Sequence, residues 1–210
     1  MTHHVGLAVA TAFVRSRRAP LLVVTAAVTS LAVALVPLVL VEVPSFGAAR
    51  STVPVYLLPV LLSGAWTLCV VSPAPVLERF IPDSRMRVRR AAWLTTGTGL
   101  LALVAAVPAV LVHHSVPLAL TLGRNALLGV AVATAAGCAL SPRLSWIPPV
   151  SFSLVCWLFG TVDHEASPAV WAVANHPYDV PAAAAVSLAL WLAAGARYVV
   201  ADGHTAGSGE

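Results

Sequence analysis

The sequence predicts an all-α, polytopic membrane protein of six transmembrane helices with both termini on the cytoplasmic side. Three observations predict it. Of the 210 residues, 59% are hydrophobic and only 10% are charged, against about 25% charged in a soluble domain. Apolar stretches able to cross about 30 Å of hydrocarbon recur along the chain, separated by short polar breaks. The arginines fall mainly on alternate breaks, so a six-span threading gathers them on one side.

Residues 1–18 carry their arginines after a short apolar run, Val5 to Val14, the reverse of a secretory signal. They read as a cytoplasmic interfacial helix with Leu7, Ala10, Phe13 and Val14 towards lipid. The transmembrane domain, 19–201, holds spans at about 20–41, 53–72, 91–112, 116–140, 146–162 and 180–201. Pro20 suits a helix start, and Pro37 is placed to kink the far end of the first span. Residues 42–52 read as a turn, and Ser72-Pro73-Ala74-Pro75 stops the second span. Between the last two spans, 168–174 is apolar but too short to cross, and reads as a re-entrant or external helix. A polar tail, 202–210, follows on the cytoplasmic side.

With the N-terminus inside, the cytoplasmic side receives Arg15, Arg17, Arg18, Arg79, Arg85, Arg87, Arg89, Arg90, Arg143 and Arg197. The outside receives Arg50 and Arg124, together with Glu42, Asp163, Glu165 and Asp179. Membrane orientation thus accounts for the net charge of +4, and no nucleic-acid partner is expected.

Every cation is Arg, so the chain has no P-loop or Schiff-base lysine. Cys69, Cys138 and Cys156 sit singly in apolar stretches and read as packing residues. Gly97-Thr98-Gly99-Leu100-Leu101-Ala102 spells a dinucleotide fingerprint, but no strand precedes it. Small residues for close helix approach explain it better, as they do Gly129, Ala133 and Gly137.

Arg124 is the least expected residue, since a cation at the membrane centre costs about 2.5–3.5 kcal/mol on insertion scales. Either it lines a polar pathway with Asn125, or the fourth span begins near it and leaves it at the outer headgroups. Outside, His113, His114, Asp163, His164, Glu165, His176 and Asp179 are chemically fit to hold zinc or copper. Asp163, His164 and Glu165 are consecutive, however, and point in different directions on a helix, so solvated loop polarity is favoured over a metal site. No nucleophile elbow or spaced intramembrane carboxylate pair is present, so no catalytic residue is expected.

The densest cationic cluster is Glu78 to Arg90, with five of the twelve arginines. Arg87, Arg89 and Arg90 suit anionic headgroups, whereas Glu78, Arg79, Asp83 and Arg85 mix signs around Pro82, which orientation does not require. The layout of interfacial segment, basic loop between spans two and three, and re-entrant piece before span six resembles membrane subunits of ABC-2-like ATP-binding-cassette exporters. The stretch from Leu122 to Trp157, with its Arg124-Asn125 opening and its Trp146-Ile147-Pro148-Pro149 start, is similar to actinobacterial transporter membrane proteins.

The resemblance implies a permease in a bacterial plasma membrane, paired with a second membrane subunit as homo- or heterodimer. It implies docking of a separate ABC ATPase on the 74–90 loop through Glu78, Arg79, Asp83 and Arg85. ATP and Mg would belong to that partner, and this chain would carry no cofactor. The alternatives are a stand-alone immunity, accessory or scaffold protein in contact with membrane lipids, and an intramembrane enzyme using the outer histidines and acids.

Overall fold

Helical segments occupy all six positions that the hydropathy pattern predicts. The computed structural model describes residues 19–36, 38, 41–43, 50–70, 83–140, 144–162 and 167–200. Helix α1 spans Ala19–Leu35. Two short helices, α2 (Leu58–Leu62) and α3 (Trp66–Val70), follow. The long α4 (Asp83–Leu111) and α5 (Val116–Ala139) form the centre, and α6 (Ile147–Phe159) and α7 (Pro181–Val200) complete the bundle. Among the described residues, three helices are long and apolar enough to cross a membrane: α4 from Ser84, α5 and α7.

Five features depart from the expectations, each for a local reason. The first helix ends at Leu35, short of 41, because the backbone before Pro37 is pushed out of the helical region. Residues 42–52 are more than a turn: β1 (Val41–Val43) and β2 (Arg50–Thr52) pair antiparallel with Glu42 opposite Ser51, a small hairpin on an otherwise all-helical fold. The second segment is broken into a 3-10 turn at Pro54–Leu57, α2, a second 3-10 turn at Ser63–Ala65, and α3. Its prolines start new turns, and the Ser63-Gly64 pair favours a tightened turn over regular helix.

The fourth departure is at 83–90, expected in a loop but helical and continuous with the third span. Pro82-Asp83-Ser84 is a helix-starting sequence, and the arginines that follow are good helix formers. The fifth is the expected short helix over 168–174, which is irregular chain with a single 3-10 turn at Val173–Asn175. Pro177 biases His176 to an extended backbone, observed at ψ 142°, so the turn cannot propagate. The 1–18 segment, the 202–210 tail, Glu78, Arg79, Arg143, Asp163, His164 and Glu165 lie outside the described residues.

Helix α5 is the hub, packing against α2, α3, α4, α6 and α7. It is buried on most of its circumference, through Leu122, Ala126, Leu128, Val130 and Ala133 among others. Close approach depends on small residues. At Gly129 an added Cβ would lie 2.8 Å from the Val60 Cα, so only glycine lets α2 lie this near. At Gly97 a Cβ would occupy the Trp66 indole, whereas the neighbouring Gly99 faces open space.

Trp66 stacks on Trp93 with ring centroids 5.9 Å apart, and its Nε1 donates to Thr134 Oγ1 at 3.2 Å. Trp191 donates to Thr98 Oγ1 at 3.0 Å. Three tryptophans from α3, α4 and α7 thus meet on one small-residue patch.

Outward-facing positions are apolar too. Val23, Val24, Val28 and Leu31 on α1, Leu103 and Val107 on α4, Leu154 and Phe159 on α6, and Leu188 and Leu192 on α7 are all exposed. Continuous apolar surface of this kind is what a lipid solvent tolerates and water does not.

Candidate functional site

Two places gather polar groups against this apolar background. The first is built on Arg124 and Asn125. They lie about 12 Å along α5 from its Val116 end, eight residues at 1.5 Å each. Beside them the broken second segment and the irregular 167–180 stretch both expose backbone carbonyls.

Asn125 is fully buried. Its Nδ2 donates to the carbonyls of Tyr56 and Ala174, each at 2.7 Å. Its Oδ1 accepts from Nε and Nη2 of Arg124 at 3.1 and 2.9 Å. All four hydrogen-bonding positions of the amide are therefore filled. The Arg124 guanidinium goes on to donate to the carbonyls of His176 (2.6 Å) and Pro177 (3.0 Å). One residue pair on α5 thus satisfies four carbonyls belonging to two other parts of the chain.

The physical need is plain. Carbonyls in 3-10 turns and irregular chain have no helical donor, and in an apolar surround each unpaired one costs about 1–3 kcal/mol. Arg124 accordingly faces protein, half-buried, with its charge met by carbonyl dipoles. Neither alternative from the sequence describes this arrangement fully, since the guanidinium is neither free in a pathway nor free among headgroups.

Residues 160–162 and 167–177 are fastened further. Val162 N–H donates to the Ser167 carbonyl and Ala169 N–H to the Gly160 carbonyl, both at 2.9 Å. Buried Asn175 donates from Nδ2 to the Cys156 carbonyl at 2.9 Å, on the last turn of α6. An added Cβ at Gly160 would collide with that amide and with the Cys156 carbonyl. Ala172 and Ala174 are fully buried against Leu57, Val60, Leu128 and Cys156. Asn175, Gly160 and the Tyr56 carbonyl did not stand out in the sequence. The available signal was an asparagine inside an otherwise apolar stretch, two residues before a proline.

The described histidines, His113, His114 and His176, do not gather at one site. His113 Nε2 pairs with the Val33 carbonyl at 2.7 Å, joining the ends of α4 and α1. His114 adopts φ 50°, the left-handed turn that closes α4, and Ser115 caps α5 by accepting from Leu118 N–H at 3.2 Å. His176 Nε2 pairs with the Ala169 carbonyl at 3.2 Å. Among the described residues no three His, Cys, Asp or Glu side chains converge on a point that could hold a metal ion.

The second polar place is the opposite end of the bundle. Arg85 and Arg87 are exposed on the first turns of α4, Met86 is buried between them, and Arg90 is buried. Cys138 on α5 lies within electrostatic reach of both Arg90 and Arg197, so α4 and α7 bring arginines together beside the last turns of α5 there. Of the docking residues expected from sequence, Arg85 is on this exposed face, Asp83 is the first residue of α4, and Glu78 and Arg79 fall outside the described residues. Comparison with known protein families, characterised proteins and solved structures gives no match.

Proposed function

We propose that the chain is the membrane-embedded subunit of an ATP-driven exporter, spanning a bacterial plasma membrane six times with both termini cytoplasmic. A separate ATPase would dock at the basic end of α4. The observation that carries this reading is the continuity of α4. Its 29 residues extend about 43 Å at 1.5 Å each, against about 30 Å of hydrocarbon. Placing Leu111 at the far boundary leaves Asp83 to Arg90 projecting from the near one.

A partner gripping Arg85 and Arg87 therefore holds the end of a rigid rod. The rod's other residues, Leu94, Gly97, Thr98 and Leu101, pack on the tryptophan patch. Displacement at the basic end would tilt those contacts without an intervening hinge. The 3-10 break at Ser63–Ala65 gives the facing segment a place to yield.

The interior bears on where cargo would pass. Buried hydroxyls of Thr25, Thr29, Thr98, Thr121, Ser153 and Ser187 each donate to the carbonyl four residues earlier in their own helix. Among the described residues these hydroxyls are engaged by their own helices, which supports a pathway between this chain and a second membrane subunit. The same sealing favours the rival reading of a stand-alone scaffold or immunity protein, which needs neither partner.

Affinity purification of the tagged full chain from its native membranes in mild detergent separates the two. On the exporter reading, a protein carrying a P-loop co-purifies, and R85E/R87E releases it while membrane insertion persists. Recovery of the chain with no ATPase would favour the scaffold.

A further inference from the structure

An apolar groove of about 580 Å³ opens on the bundle near the Arg197 end. Helices α6 and α7 both pack on α5 yet barely touch each other, and the groove is the gap between them. Its floor is Ala131, Ala135 and Ala139, one stripe of α5 at four-residue spacing, and Pro148 and Leu190 stand on its two sides. Among the described residues Arg197 is the one charged residue in its lining.

We propose that this groove holds one acyl chain of an anionic phospholipid from the inner leaflet, with the lipid phosphate on the Arg197 guanidinium. The proposal rests on the membrane placement above but not on the exporter reading. Dimensions support it: the floor from Ala131 to Leu140 is about 13 Å long, close to the roughly 15 Å depth of one leaflet's hydrocarbon. Alanines on the floor leave a channel that larger side chains would fill, and an empty apolar trough facing lipid is occupied by whatever apolar chain is at hand.

Charge selects the headgroup. Arg197 stands at the end where Arg90 of α4 also lies, no acid among the described residues lines the groove, and guanidinium pairs with phosphate through two parallel N–H donors. A second copy of the chain is a poorer occupant. A two-fold contact through this face would bring Arg197 towards its own symmetry mate, a like-charge pair at the membrane boundary.

The test is native mass spectrometry of the full-length protein released from vesicles of equimolar phosphatidylglycerol and phosphatidylcholine. Wild type is expected to retain phosphatidylglycerol in preference to phosphatidylcholine. Arg197→Gln should lower that preference about fivefold, the factor corresponding to one interfacial cation, and Arg197→Lys should restore most of it. Ala135→Phe, at an exposed position that the fold does not need small, should displace both lipids.

An unchanged preference in Arg197→Gln overturns the proposal, as does lipid retention unaffected by Ala135→Phe. A shift from dimer to monomer in Ala135→Phe, with lipid unchanged, assigns the groove to a second copy instead. Resistance of the protein to carbonate extraction reports membrane embedding independently, so failure of that premise is distinguishable from failure of the lipid site.

Discussion

Single residues carry unequal weight here, and two neighbouring glycines show it. Gly97 and Gly99 are equivalent in a sequence pattern, but one lies under the Trp66 ring and the other faces open space. Gly97→Val should displace the indole and destabilise by about 1–3 kcal/mol, the range for overpacking, while Gly99→Val should be near neutral. Thermal unfolding midpoints in detergent, read by tryptophan fluorescence, check the contrast. Equal effects would show that Trp66 does not pack there. Asn125 is the second case. Asn125→Ala strips donors from the Tyr56 and Ala174 carbonyls, with an expected cost of about 2–4 kcal/mol. The same measurement checks it, and a loss under about 0.5 kcal/mol, the size of an ordinary surface substitution, would mean that other donors replace the amide. The presence of Arg124 and Asn125 in an apolar span was legible as an anomaly. Their acceptors were not, because they lie 49 to 69 residues away for Asn125 and sequence periodicity reports only neighbours along one helix.

At the scale of elements, the long α4 and the broken second segment are complementary. On the exporter reading, one would transmit displacement because no proline interrupts it before Pro108, and the other would yield because prolines and a 3-10 turn interrupt it. Inserting two glycines after Arg90 would place a flexible joint between the basic turns and the membrane-crossing part. In a purified complex with an ATPase, this variant should keep the partner bound while losing coupled turnover. Turnover at the wild-type rate would sink rigid coupling through α4. Charge density marks 78–90 as outside lipid and reads it as a loop, yet α4 begins within it at Asp83, because lying outside lipid does not forbid a helix and arginine is a good helix former. The stretch before α7 differs in the opposite direction: its alanines and valines favour a helix, but the chain forms only a 3-10 turn that ends before Pro177.

For the whole molecule, the arginine distribution makes a direct topological prediction. Reporter fusions at residue 1 and residue 210 should be active in the cytoplasm, and a cysteine at Val170, which is 91% exposed, should be labelled only from outside. External labelling at Ser84→Cys would overturn the orientation. The number and order of helical segments, their apolar character and the side on which arginines gather follow from composition along the chain, because lipid solvation and insertion act on each segment separately. Which carbonyls Arg124 and Asn125 satisfy, which glycine lies under an indole, and where a groove opens between α6 and α7 belong to tertiary structure. Those depend on which helices become neighbours, and in a chain apolar on every face the pattern of hydropathy does not choose among them; close packing of small residues does.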